Sequence, residues 1–237
     1  MFAAVYLENI RHLKFKVKKG IYFKNNTEFV LYIAPCPKNQ KEKEILIQKT
    51  KEHWGKIIFP KYLENEKEFA KISFKGENFV KRVLAEAFLT YIKSFPQKEI
   101  AIFDNLFLKK EYFAEISKYT NNLAVIGKSF KEDIKQYILK ETGMVLTDKI
   151  NENNSLCLNL TKENSFPCCL NSAFTQDALE KTCQSLIKEY LDFGNIFSAV
   201  NFFALCFYEE KQTNIFEKTV KRFLKDNENL NGLQTAN

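Results

Sequence analysis

The sequence predicts an α/β fold built on a parallel sheet, and three observations lead there. From Glu99 to Asp148 short apolar runs alternate with amphipathic ones: Glu99–Asp104, Lys109–Tyr119, Asn122–Gly127, Phe130–Glu141 and Met144–Asp148. That succession is strand, helix, strand, helix, strand. Just before it, Phe79, Val80, Val83, Leu84, Ala87, Phe88, Tyr91 and Ile92 follow alternating steps of one and three, so all eight share one helical face suited to covering a sheet. Glycine and proline are scarce, 7 and 5 in 237 residues, which argues against a loop-rich all-β or disordered chain.

The elements follow in chain order. Leu13, Phe15 and Val17 alternate with Lys14, Lys16 and Lys18, the pattern of a half-buried strand. Lys19–Gly20 reads as a turn, Ile21–Phe23 as a second strand, Lys24–Thr27 as a second turn, and Glu28–Ala34 as a third strand stopped by Pro35 and Pro37. Three short strands in succession predict an antiparallel β-meander. Lys38–His53 reads as a helix with Ile45, Leu46 and Lys49 on one face, closed by Gly55, and Lys56–Phe59 as a strand. The polar stretch Lys61–Lys71 is the expected boundary between a small α+β region, 1–71, and an α/β domain, 72–225. In the long helix Asn78 is the expected N-cap, and Pro96 lies just past the end.

Beyond Asp148 lie the apolar runs Ser155–Leu160 and Phe166–Leu170. A helix over Gln176–Leu191 carries Leu179, Cys183, Leu186, Ile187 and Tyr190 on its inner face. The next, Asn195–Tyr208, is apolar on nearly every side and is expected deep in the core. A last helix carries Phe216, Val220, Phe223 and Leu224; residues 226–237 lack periodicity and are expected to fray.

Net charge is +7, but arginine occurs only at Arg11, Arg82 and Arg222. Lysine is a hydrated point charge that lacks the bidentate fork suited to bases and phosphates, so a solvated lysine surface is the plainer reading. The Lys, Asn, Ile and Phe usage also fits the bacterial-like composition of an AT-rich genome. The best nucleic-acid feature is the face of Lys14, Lys16 and Lys18, with Lys19 and Lys24. Single-strand binders place stacking aromatics beside the charge, whereas strand alternation turns Phe15 away, so an edge strand guarded by lysines explains the pattern better.

The six cysteines show no metal spacing, and Cys157, Cys183 and Cys206 sit in apolar surroundings as small buried hydrophobes of a reducing compartment. Cys168–Cys169 follows Pro167, and strand alternation turns one of the pair outward as a weak thiol candidate. With no signal-peptide pattern, and with Ile196–Tyr208 too short to span a bilayer, a cytoplasmic protein without membrane association is expected.

The chemistry-bearing candidates gather where strands end. Val125–Ser129 runs a strand into Gly127–Lys128–Ser129 and then a helix, but the first glycine of a phosphate-wrapping loop would fall on Asn122, inside the strand. Ser129 with Glu132 reads instead as a capping box, and Gly127 as the sharp turn; an anion near that helix start and Lys128 is the functional alternative. Asp104 and Asp148 both end expected parallel strands, the edge where open α/β sheets hold ligands. As neighbours they would share a metal ion or hold a ribose; otherwise they are turn and capping residues. After Asp104 come Asn105, Leu106, Phe107 and Leu108, bulky where a dinucleotide turn has glycines. His12 and His53 are the only histidines and neither has a ligand-type partner at i+4.

From Glu99 to Leu170 the chain resembles Rossmann-type modules in its βα alternation, while departing from them at the glycine turn. The expected fold is thus an N-terminal β-meander with a helix, a Rossmann-like parallel sheet flanked by helices, and extra helices at the C-terminus. No fingerprint for NAD, FAD, ATP or a structural metal is present, and no specific family is recognised. The expected function is a ligand-sensing or protein-interaction module. The alternatives are an enzyme acting on a small anionic or nucleotide-like substrate, with Asp104, Gly127, Lys128, Ser129 and Asp148 at the carboxyl edge, and a lysine-mediated nucleic-acid binder.

Overall fold

The structure, a computed structural model, describes residues 1–8, 14–24, 26–149, 156–161, 174–191 and 197–227. In chain order it contains β1 (Ala3–Glu8), β2 (Lys18–Lys24), β3 (Thr27–Pro35), α1 (Gln40–Lys49), β4 (Ile57–Ile58), α2 (Lys61–Glu64), α3 (Lys67–Ile72) and α4 (Glu77–Ser94). Then follow β5 (Gln97–Phe103), α5 (Lys110–Ile116), β6 (Thr120–Ile126), α6 (Glu132–Thr142), β7 (Leu156–Asn159), α7 (Gln176–Leu186), α8 (Ala199–Glu209) and α9 (Thr213–Asp226). The fold is mixed α/β. Two compact units divide it, Met1–Phe79 with Glu180–Lys218, and Val80–Leu179 with the residues from Thr219 onward.

The first unit is a four-stranded sheet in the order β2-β3-β1-β4. Only β2 and β3 pair antiparallel; β1 lies parallel to both β3 and β4. The expected meander is therefore reduced to one hairpin, because a strand unread in the sequence takes the central place. Phe2-Ala-Ala-Val-Tyr-Leu is apolar without interruption, the composition of a strand covered on both faces, and residues 2–5 are buried. Lys19 and Gly20 lie within β2 rather than in a turn, and residues 14–17 form no strand. Their alternation survives in burial: Phe15 and Val17 pack on the core while Lys14 and Lys16 are exposed.

Strand pleating sorts the first unit's core into two layers. Ala3, Val5, Val30 and Tyr32 face Leu46 of α1 and Phe69 of α3. On the opposite face Phe2 stacks on Phe29 at 5.2 Å, and Phe202 of α8 meets both rings edge-on at 5.7 Å. α8 is buried on every side over Phe202 to Cys206, which is why it is apolar nearly all round. The polar stretch Lys61–Lys71 forms α2 and α3, which bury Leu63 and Phe69 in this unit. Past β4 the sheet gains one more rung: Ser73 bridges Ile57 in parallel, the Phe74 N–H donates to the Ile57 carbonyl at 2.8 Å, and the Gly55 N–H donates to the Ile72 carbonyl at 2.8 Å.

The second unit carries a three-stranded sheet, β6-β5-β7, with both pairings parallel. Single parallel bridges extend it on each side, Thr147 to Ala124 beyond β6 and Phe174 to Leu158 beyond β7. The strand expected over Met144–Asp148 shrinks to that bridge, because Leu146 is buried while Val145 is 73% exposed, leaving little apolar surface to hold a ladder. Helix α6 stops at Gly143, whose φ of +73° lets its N–H turn back to the Leu139 carbonyl. Helix α4 begins at Glu77, so Asn78 sits inside its first turn and does not cap it. The run Phe166–Leu170 lies outside the described residues, as do Arg11, His12, Cys168 and Cys169.

Candidate functional site at the carboxyl edge of the parallel sheet

β5 comes first in this unit and sits centrally, with β6 on one side and β7 on the other. The order in which strands are added thus reverses across β5, and its carboxyl end is the position where open α/β sheets admit ligands. Asp104 occupies that end and is fully buried, the one acidic or basic side chain so buried among the described residues.

Its carboxylate is spoken for. One oxygen, Oδ2, accepts the Ser129 hydroxyl at 2.5 Å, the Phe107 N–H at 3.1 Å and the Leu108 N–H at 3.0 Å. The Ser129 oxygen in turn accepts the Leu106 N–H at 2.7 Å. The Asp104 backbone joins as well, donating to the Ile126 carbonyl and accepting the Ser129 N–H at 3.3 Å. Asn105 adds a side-chain bridge, its Oδ1 accepting the Lys128 N–H at 3.0 Å. The loops after β5 and β6 are therefore tied into one closed polar knot.

Two backbone conformations show how tightly it is drawn. Gly127 has φ +101°, and a Cβ there would lie 2.6 Å from the Asp104 carbonyl oxygen. Leu106 holds φ +66° with its side chain 52% exposed, a left-handed conformation that costs a leucine about 1 kcal/mol or more. The Ser129 oxygen waiting for its N–H offsets that cost. Ser129 therefore does not act as the cap of α6: the N-cap is Lys131, with no side-chain capping bond.

Of the five residues expected at this edge, the structure brings Asp104, Gly127 and Ser129 into the knot and leaves Lys128 exposed above it. Asp148 is exposed beside Thr147, whose bridge partner is on β6; β6 thus separates it from β5, and the two aspartates do not face each other as a metal pair. No group of three or more His, Cys, Asp or Glu suited to a metal ion occurs among the described residues. Across the reversal point, Asn159 spends its Oδ1 on the Thr161 N–H and hydroxyl, both at 2.9 Å. Behind the knot, Tyr112 donates to the Ala85 carbonyl at 2.6 Å, and burial pushes its phenol well up, with the Glu86 and Asp104 charges adding to the effect. Asn105 was the residue sequence reasoning passed over; an Asn directly after a strand-end Asp was the available signal.

The first unit holds two polar groupings that the sequence did not announce. Tyr32 donates to Glu52 at 2.7 Å and lies 3.1 Å from His53 Nδ1, while Lys19 pairs with the same carboxylate. Burial lowers the His53 pKa, so the neutral ring is favoured there, packed edge-on to Tyr32. Lys14, Lys16 and Lys18 are exposed on either side of the half-buried Phe15 and Val17.

The second grouping surrounds the start of α8. Glu180 accepts from the Ala199 and Val200 N–H groups at 3.2 and 3.3 Å and pairs with Lys61 at 3.1 Å. Nearby, burial raises the Glu64 carboxyl from an ordinary 4.5 to about 7, opposed by hydrogen bonds at Phe59 and Asn201. Its Oε1 has no partner. The fold thus favours the protonated acid: that contribution is complete below pH 4.5 and is lost as pH rises to about 7. Glu64→Gln should therefore stabilise the protein by about 2 kcal/mol above pH 8 and leave it unchanged near pH 4. Urea denaturation at both pH values checks this.

No helix among the described residues is long and apolar enough to cross a membrane. Comparison with protein-family models, with curated proteins and with solved structures finds no match to this chain.

Proposed function

We propose that this protein is a non-catalytic module for ligand sensing or protein contacts, and that its second unit is a Rossmann-like scaffold. With the single bridges counted, the strand positions run Thr147, β6, β5, β7, Phe174. Numbered by chain order that is 3-2-1-4-5, the arrangement of dinucleotide-binding sheets. The hairpin β2–β3 is what remains of the meander reading. The buried thiols of Cys157, Cys183 and Cys206 support a reducing, cytoplasmic setting.

One observation carries the non-catalytic reading: Asp104, the one buried carboxylate at the carboxyl edge among the described residues, is hydrogen-bonded by its own loops. A general base or metal ligand needs a lone pair facing the substrate, and here Oδ2 of the fully buried Asp104 takes three donors while Oδ1 shares the Phe107 N–H at 3.2 Å. The edge turns outward Leu106 and Lys128.

A thermal-shift panel of nucleotides and phosphorylated metabolites tests this on the native chain and on Lys128→Ala. Under this reading any stabilisation survives in the variant, because the edge is not the ligand site. A stabilisation lost with Lys128 would transfer support to the alternative, a site for a small anionic substrate at that edge.

A further inference from the structure

The first unit contains an open groove of about 580 Å³ lined by Gly55, Lys67, Lys71, Ser73, Phe74 and Lys75. Its floor is fixed by the extra rung of the sheet, through the Ser73–Ile57 bridge and the Gly55–Ile72 and Phe74–Ile57 hydrogen bonds. Gly55 has φ +79° and nothing within 4 Å of where a Cβ would stand, so the groove is open above its backbone.

The charge on this groove is one-sided. Lys67 and Lys71 are four residues apart, on one face of α3, and Lys75 follows on the extended stretch after it. None of the three makes an ion pair among the described residues. The acids interleaved with them are engaged elsewhere, Glu66 with Lys43 at 2.7 Å and Glu68 with the Gln40 amide at 3.0 Å. Lys56 and Lys61 have carboxylate partners in Glu209 and Glu180. Like charges at i and i+4 repel one another. A polyanion seated in the groove removes that repulsion and gains three charge-assisted contacts.

We infer that this groove binds a nucleoside di- or triphosphate, with Lys67, Lys71 and Lys75 on the phosphates and Phe74 as the apolar wall for the base. Lysine suits this ligand as a point-charge partner for phosphate oxygens, without the fork that base reading in nucleic acid favours. The volume falls in the range of small-molecule pockets. The site deepens the sensing reading above and rests on it, but lies at a different place in the chain from Lys128.

Calorimetric titration of the full chain with ATP, ADP and inorganic triphosphate provides the test, with a single-stranded oligonucleotide as competitor. ATP and ADP should bind, more weakly as salt rises from about 50 to 200 mM. Affinity should drop about 10-fold to 100-fold when Lys67, Lys71 and Lys75 are all changed to alanine, surface changes that leave the core intact. Phe74→Leu should weaken ATP and leave triphosphate unaffected, while Lys128→Ala should change neither. The site is overturned if neither nucleotide binds, if binding ignores the three lysines, or if the oligonucleotide binds more tightly than ATP with the same lysine dependence. ATP turnover in the presence of magnesium would overturn the non-catalytic reading alone and leave the site standing.

Discussion

Changing Asp104 to alanine should cost the protein about 3–5 kcal/mol, the loss expected when one member of a buried hydrogen-bonded network is removed. The substitution strands the Phe107 and Leu108 N–H groups and the Ser129 hydroxyl, all of which now donate to its carboxylate. It also loosens Ser129, whose oxygen holds Leu106 in its left-handed conformation. Asp104→Asn keeps one side-chain oxygen and should cost less, about 1–2 kcal/mol. Urea denaturation followed by circular dichroism measures both. An alanine variant as stable as the native chain, or more so, would mean that Asp104 is held ready for chemistry at the expense of stability, and the non-catalytic reading would fall with it.

Gly127→Ala should cost about 2–4 kcal/mol, because it adds strain at a positive φ to a collision with backbone. The new Cβ would lie 2.6 Å from the Asp104 carbonyl oxygen and 2.9 Å from Asn105 Oδ1. The carbonyl cannot swing aside without breaking the Ser129 N–H bond it accepts. Gly143→Ala is the matched control. Its φ of +73° is also left-handed, but nothing stands within 4 Å, so only the conformational cost of about 1 kcal/mol remains. Equal losses for the two glycines in denaturant titrations would show that the close approach at Gly127 carries no energy of its own.

The α/β alternation from Glu99 to Glu141 was legible because each element there obeys its own periodicity and is stopped locally. β5, α5, β6 and α6 all appear within a few residues of their expected limits. Strand β1 was missed for the opposite reason: an unbroken apolar hexapeptide has no period to detect, and its partners are distant in sequence. The Met144–Asp148 strand failed because apolar character in the chain does not say whether a neighbouring face exists to bury it. At the site, Asp104 and Gly127 were visible as strand-end residues. That Ser129 turns toward Asp104 and not toward its own helix was not visible, since a hydroxyl near a helix start has two local partners and tertiary packing chooses between them. The lysine groove was passed over because Lys67, Lys71 and Lys75 fall in a stretch whose polarity reads as linker until β4 supplies a floor beneath it.

The central position of β1 bears on how the nascent chain folds. Both strands that flank it, β3 and β4, leave the ribosome after it, and the hairpin β2–β3 can zip up from its own turn without it. At about 5–20 residues per second, the stretch from Ala3 to Ile58 takes roughly 3–11 s to synthesise. For that interval the apolar Phe2-Ala-Ala-Val segment has its last sheet partner still untranslated, whereas the lysine-studded hairpin is already complete.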